Sequence, residues 1–407
     1  MGRQQTGNSD TRFSSYLDGL SSVIGRVSRV GPLRDYCTGL LLPGERKSVE
    51  PIAAKTAPAR VAAQHQALLH FVAQGGWSDA AVLTKVRETV LPAIERHGAI
   101  EAWIIDDTGF PKHGKHSVGV SHQYCGQTGK QDNCQVAVSL SLANHHASLP
   151  VAYQLYLPKS WADDPERRAK AGVPGEITFA TKLEIAMAQI EWACAADLPR
   201  GVVLMDSAYG TDASLRARLT ALDLQYAVAV RGRTLVAAGK REASAEARAL
   251  ALPKSAWKTI TWRQGASERL RSRFARVRVR ACGDGCGEDQ PEEWLLIEWP
   301  KGEKAPAKFW LSTLPQAIAF DRLVDITMMR WRIERDYLEL KQEVGLGHFE
   351  GRGWTGFHHH ATLCIATYGF LISERGAFPP SETQCAGDVT PAVVPAGYRP
   401  RGAAAAA

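Results

Sequence analysis

AWIIDDTGFP, residues 102–111, decides how this sequence is read. Residues 102–105 form a short apolar strand that runs directly into two carboxylates, Asp106 and Asp107. GVVLMDSAYG (201–210) repeats the arrangement, a buried apolar strand ending in Asp206. Carboxylates at the exits of central strands are held by rigid elements and can converge in space. Each alone is also what a helix cap or a turn would use. Side chains alternate along a strand, so only one of Asp106 and Asp107 can face a shared cleft.

The pattern around these strands is that of an α/β domain. NCQVAVSLSLAN (133–144) alternates, and LPVAYQLYLP (149–158) follows as its antiparallel partner. Residues 179–196 have helical periodicity, and LQYAVAVRG (224–232) is a further strand. The order β-β-β-α-β-α-β over 99–232 predicts mixed strands with intervening helices. Residues 12–97 read as helical, with GG at 75–76 as a stop, so 1–98 is expected as a helical N-terminal region. Residues 233–312 change to alternating strands and turns, an all-β insertion. Helix returns over 317–343 and 356–375, completing the domain in 313–375. The tail, 376–407, is rich in Pro and Ala and is expected to be disordered.

Composition sets limits on function. The 407 residues are 45% hydrophobic and 22% charged, an ordinary globular balance with room for two or three domains. A net charge of +7 and a pI near 9.0 suit an anionic partner such as nucleic acid without demanding one. The 8 cysteines are scattered, which is no secreted disulfide framework and points to a reduced cytoplasm. The N-terminus lacks an apolar signal core, and no apolar run approaches the ~20 residues of a membrane span. A soluble protein without a membrane partner is expected.

RWRIERDYLELK (330–341) carries the third acidic candidate. On a helix, Arg330, Glu334, Tyr337 and Lys341 fall within a stripe roughly 60° wide. Arg332, Arg335, Asp336, Glu339 and Gln342 form a second polar face opposite. Trp331 and Leu338 lie on one apolar flank, Ile333 and Leu340 on the other. A surface helix has one apolar face, so two flanks predict a helix wedged between neighbours with its narrow stripe facing inward. A buried Arg–Glu–Lys row is costly unless it is paired or meets a metal. Asp107 and Asp206 alone make a weak site for a divalent ion, and Glu334 would add a third oxygen ligand. Such a set suits Mg²⁺, with Mn²⁺ as a substitute. Two ions about 4 Å apart can clamp a phosphodiester, and Arg330 and Lys341 would grip its phosphates. The plain alternative is a surface ion pair between Arg330 and Glu334.

On these residues the chain resembles the insertion-sequence transposases of the DDE class, most of all the group typed by insertion sequence 701 within the superfamily typed by insertion sequence 4. The resemblance covers roughly 102–375 and rests on DDTGFPKHGKHSVGVSHQYCG, LMDSAYG and RWRIERDYLELKQEVGLGHFEGRGW. It implies an α/β fold: a ribonuclease-H-like mixed sheet with flanking helices, interrupted by the all-β insertion and preceded by the α-helical N-terminal domain. The family's first acid, in an acid-Asp-Thr context, matches Asp107, and its second matches Asp206. Its third follows a Tyr, Arg, Glu, Lys pattern that falls on Thr327, Arg330, Glu334 and Lys341. Thr327 replaces the tyrosine, so the family's hairpin route to second-strand cleavage is not implied here. The implied activity is metal-dependent cleavage of double-stranded DNA at terminal inverted repeats, then strand transfer into target DNA. A homodimer would do this in the bacterial cytoplasm, bound to the nucleoid, with residues 1–98 binding the repeats and pairing the protomers. A plain metal-dependent nuclease and a catalytically silent repressor derived from a transposase are the alternatives.

Other cations are expected at the rim. Lys112, His113, Lys115 and His116 follow Asp107 in a Gly/Pro loop, and Arg231 ends the YAVAV strand. They read as phosphate contacts or, as readily, a solvated face. In RLRSRFARVRVR (269–280), Arg276, Arg278 and Arg280 alternate with Val277 and Val279, and Arg269, Arg271 and Arg273 continue the stripe after a bulge near Phe274. This predicts a phosphate-tracking surface, with a charge-protected strand edge as the alternative. Cys282 and Cys286 could be half a zinc site, but no second pair lies nearby. His358, His359 and His360 point about 100° apart on a helix and cannot chelate one ion. They read as DNA-facing or packing residues.

Overall fold

The structure is a computed structural model that describes residues 8–264, 269–282 and 290–378. The expected tail beyond 378 and Cys286 lie outside the described residues. Helices α1 (Ser9–Ser21), α2 (Val30–Leu41), α3 (Val49–Thr56), α4 (Val61–Ala73) and α5 (Asp79–Glu95) come first. Then follow β1 (Ala102–Pro111), β2 (Ser121–Cys125), β3 (Lys130–Ala143) and β4 (Ser148–Leu155). Helices α6 (Lys159–Ala162), α7 (Pro165–Ala171) and α8 (Lys182–Ala195) lead to β5 (Val202–Met205), α9 (Ser207–Gly210), α10 (Ala213–Ala221) and β6 (Tyr226–Val230). Next come β7 (Leu235–Ala238), β8 (Arg241–Ser244), α11 (Ala245–Leu250), β9 (Lys258–Gln264), β10 (Arg269–Ala281), β11 (Glu293–Pro300) and β12 (Lys308–Ser312). The chain closes with α12 (Phe320–Met328), α13 (Trp331–Gln342) and α14 (Trp354–Ala377).

One mixed, 12-stranded sheet runs through the molecule in the order β2-β3-β1-β5-β6-β12-β11-β10-β7-β8, with β4 paired to β3 and β9 to β10. Its centre is parallel, β1 beside β5 and β5 beside β6, and antiparallel pairs flank it. Helices cover the sheet, which is the ribonuclease-H-like α/β arrangement expected. The β-rich segment is continuous with the core: β12 hydrogen-bonds to β6, Leu311 opposite Val228. It also contains a helix, α11, started by the Ser244 side chain accepting from the Ala247 N–H.

The helices before β1 share an apolar core with α14. Phe13, Tyr36, Leu68, Val86, Leu363 and Phe370 belong to one buried cluster. The three consecutive histidines sit where these helices meet. His359 stacks on Trp77 with ring centroids 3.6 Å apart, His360 meets the Tyr36 hydroxyl at 2.8 Å, and His358 Nε2 accepts from the Leu155 N–H. Burial pushes all three rings down to about 4. They are packing residues in the folded chain.

Several local expectations change. β1 does not stop at Ile105 but pairs with β3 through Pro111, so both aspartates lie inside a strand. The bulge in β10 falls between Leu270 and Arg271, not near Phe274. The helix expected over 317–343 is broken at Met329–Arg330, where backbone bonds tighten to three-residue spacing. Just before the break, Thr327 donates its hydroxyl back to the Leu323 carbonyl, a bond that bends helices. α13 is also not wedged between two apolar flanks. It buries a single face of Ile333, Asp336, Tyr337 and Leu340, while Leu338 is 52% exposed. Its two polar stripes are the borders of that face.

Candidate active site

Alternation along β1 assigns its aspartates to opposite sides of the sheet. Ile104 and Leu204 are register partners and lie in the cluster with Ile333 and Tyr337, beneath α13. Two residues further along their strands come Asp106 and Asp206, which continue that face. Trp103, Ile105, Val203 and Met205 belong to the cluster on the other face with Ile185 and Ile190 of α8. Asp107 follows that second series.

Arg330, at the break before α13, ties the first face together. Its Nη1 donates to Asp106 Oδ2 at 2.8 Å and its Nη2 to Glu334 Oε1 at 2.6 Å. The Tyr337 hydroxyl donates to the Asp106 carbonyl at 3.0 Å and lies 2.8 Å from Ser139 Oγ, on the strand partner of Asp106. Asp206 caps α9, its Oδ1 accepting from the Ala208 N–H at 2.9 Å. The turn has no spare room, because a Cβ on Gly210 would lie 2.2 Å from the Ala229 carbonyl on β6.

Burial pushes Asp106 up to about 7 against the pull of Arg330, and the charges of Asp206 and Asp107 add to the rise. Burial works against the Arg330 charge, but Asp106, Glu334 and Asp206 outweigh it and hold its pKa above the ordinary value. Glu334 is the open end of this group, its side chain 61% exposed against 16% for Asp106.

Asp107 meets different partners. Its Oδ2 accepts from Lys182 Nζ at 2.8 Å and from the Tyr209 hydroxyl at 3.2 Å. The expectation that Asp106 points away from Glu334 is therefore reversed: Arg330 joins Asp106 to Glu334, and Asp107 lies on the α8 side. Lys182 lies outside the sequence motifs, and Tyr209, although within LMDSAYG, carries no expected role there. Tyr209 lies three residues after Asp206, within the short helix that the aspartate caps. Lys182 opens α8 behind a Thr181–Glu184 capping box, a pattern that the sequence itself displays.

The expected phosphate-binding cations are dispersed. Lys341 turns inward, donating to the Gly109 carbonyl at 2.7 Å and to Gln127, and burial lowers it to about 8. Lys112 donates to the Phe349 carbonyl at 2.8 Å. Lys115 and Arg231 are exposed, Arg231 at the C-terminal end of β6. On β10, Arg276 donates to the Ile318 carbonyl, Arg278 to that of Glu292 and Arg280 to that of Gly239. Arg276 also lies over the Trp294 ring at 4.3 Å. Arg269, Arg271 and Arg273 are exposed, and Arg273 lies over the Trp299 ring at 3.9 Å.

Residues 19–269 match the family model described as DDE superfamily endonuclease. The chain belongs to the DDE superfamily of endonucleases. A second family model, Transposase DDE domain, matches residues 186–370 of this DDE-superfamily chain. A probable transposase for insertion sequence element IS701 from Microchaete diplosiphon is 31% identical over 167 residues. That match covers 41% of the present chain and 40% of the relative.

DDE-superfamily transposases use divalent metal ions, and the residue types here suit one. Asp106, Asp206 and Glu334 offer only hard oxygen donors, Asp106 within β1 and Asp206 just after β5. Among the described residues, however, no three His, Cys, Asp or Glu side chains are gathered so as to hold a metal ion. The Arg330 guanidinium stands between two of the acids, a cation where their charges call for one. The donors fit a divalent ion once that bridge opens.

Among the described residues, no helix is long and apolar enough to cross a membrane.

Proposed function

We propose that this DDE-superfamily chain is a transposase that cleaves double-stranded DNA at the ends of a mobile element and joins the freed ends to target DNA. The observation that supports this most is the Arg330 bridge from Asp106 to Glu334, with Asp206 on the same side of the sheet. Asp106, Asp206 and Glu334 would hold Mg²⁺ or Mn²⁺. The sequence motif favours Asp107 for the first position, and the Arg330 bridge favours Asp106. A divalent ion held by these residues would supply charge stabilisation at the attacked phosphate and activation of a water.

The chain's own groups do the rest. Arg330, released from the carboxylates, is placed to donate two parallel hydrogen bonds to a phosphate. Asp107 holds Lys182 at the rim of the sheet, where its ammonium can meet the DNA backbone. Arg231 and Lys115 are exposed to do the same. Joining needs both element ends together, which supports a homodimer acting on terminal inverted repeats and target DNA in the bacterial cytoplasm.

The test is to incubate the purified protein with Mg²⁺ and the DNA flanking its own gene, then map the cuts. Cuts at the element ends followed by joining to a target support a transposase. Cuts without joining reduce it to a nuclease, and binding without cuts makes it a repressor.

A further inference from the structure

The turn that presents Asp206 also presents Tyr209, so residues 206–210 serve both faces of β1. The helix within it, α9, has 4 residues, too few to hold its own shape by helical bonds. Two backbone bonds fix it instead. The Asp206 carbonyl accepts from the Gly210 N–H at 2.8 Å, and the Gly210 carbonyl accepts from Arg216 Nη1 on α10 at 2.6 Å.

Arg216 is buried, and a guanidinium out of water needs compensation. Its charge is offset by Asp212, one turn earlier, and by Glu293, a buried carboxylate at the start of β11. The Tyr226 hydroxyl on β6 links the two: it donates to Glu293 Oε2 at 2.9 Å, and the Arg216 charge acts on it as well. Burial raises the Glu293 carboxyl, and Tyr226, Arg216 and Arg278 pull it back. For stability alone, apolar side chains of the same volume would fill this space as well as a pair of buried charges. A charged donor aimed at a backbone carbonyl does something they cannot, which is to fix that carbonyl.

We propose that Arg216 is a positioning residue for the cleavage site, holding the turn that aims Asp206 and Tyr209, with Glu293 of the β-rich segment keeping it in place. That role rests on Asp206 serving as a metal-holding acid, as proposed above.

Paired substitutions in the full chain test it. Arg216→Met leaves Glu293 buried without its cation and should lower the melting temperature. Arg216→Met with Glu293→Gln removes both charges, keeps an acceptor for Tyr226 and should regain most of that loss. A purely structural pair would show nothing more. In the double variant the turn still lacks its anchor, so amide hydrogen exchange over 207–210 should be about tenfold faster than in the wild type, or more. Single-turnover DNA cleavage should slow by about ten- to a hundredfold, the scale of losing a partner that orients a metal ligand, and half-saturation should need more Mg²⁺. End binding by gel shift should be unchanged. Arg216→Lys, which can reach the Gly210 carbonyl with a single donor, should give intermediate exchange and cleavage, and it decides the matter if the double variant does not fold. Wild-type exchange over 207–210, or wild-type cleavage, in the folded variants overturns the proposal. A wild-type chain that cuts no DNA fails the transposase reading instead, and the exchange rates still decide whether Arg216 holds the turn.

Discussion

The two faces of β1 at Asp106 and Asp107 are neighbours in sequence and opposites in chemistry. Asp106 lies under α13, bridged by Arg330 to an acid that is mostly open to solvent. Asp107 lies toward α8, closed off by one lysine and one tyrosine hydroxyl. The first face has acids in excess: Asp106, Asp206 and Glu334 around one guanidinium, an imbalance that a divalent ion relieves. The second is a balanced ion pair with a hydrogen bond, which needs nothing more. On the function proposed above, this pair of adjacent acids on a strand separates into one group for the chemistry and one that fixes position.

Substitutions that empty the first face should have the largest effect. Asp206→Asn and Glu334→Gln should each lower the single-turnover rate of DNA cleavage by on the order of a thousandfold or more, since groups acting as a unit fail together. End binding, read by gel shift, should persist. Near-normal cleavage in either variant would return Glu334 to a surface ion pair. Next comes Arg330→Ala, expected to lower cleavage by about a hundredfold, the scale of removing one preorganised donor. Arg330→Lys should restore only part, because an ammonium cannot span two acceptors. Equal rates for the two variants would mean that the bridge has no bidentate role.

The arginines of β10 extend the comparison between groups that are engaged and groups that are open. Replacing Arg276, Arg278 and Arg280 with Ala should lower the melting temperature, at about 1 kcal/mol for each hydrogen bond removed. Replacing Arg269 and Arg271 should spare stability and weaken DNA binding. The slope of log K against log salt should fall by about 0.9 for each phosphate that the variant no longer neutralises. If the first set changes the salt slope and the second does not, the assignment is inverted.

The smallest effect concerns Asp79, at the start of α5. Burial pushes its carboxyl up to about 7, against a hydrogen bond from Thr362 at 2.8 Å. The folded chain then holds this proton to higher pH than the unfolded chain, whose carboxyl titrates near 4. Its contribution to stability is fully present below about pH 4 and is lost as pH rises through about 7. Asp79→Asn should therefore flatten the fall of melting temperature from acidic to neutral pH. An unchanged profile would exclude Asp79 as its source.

The sequence carried the architecture further than the orientation of the site. The strands ending at Asp206 and Val230, the β3–β4 pair and the helix bearing Glu334 were legible because apolar runs and turn signals bound them. The face of β1 was not. Trp103, Ile104 and Ile105 are all apolar because both sides of a central strand are buried, so no alternation marks which side each residue takes. The α13 flanks misled for a related reason: a helical wheel treats Leu338 and Leu340 alike, whereas packing buries only Leu340. Lys341 read as a phosphate ligand because charge is visible in sequence and a carbonyl partner such as Gly109 is not. The break at Arg330 left no glycine or proline to announce it.

The most direct test of this assignment is the single-turnover rate of DNA cleavage in Mg²⁺ for Asp106→Asn and Asp107→Asn, measured side by side. The geometry predicts that Asp106→Asn is inactive. Asp107→Asn should keep measurable cleavage, slowed by about tenfold because Lys182 is no longer held in place. An inactive Asp107→Asn beside an active Asp106→Asn would contradict the assignment of the α13 face as the one that cuts DNA.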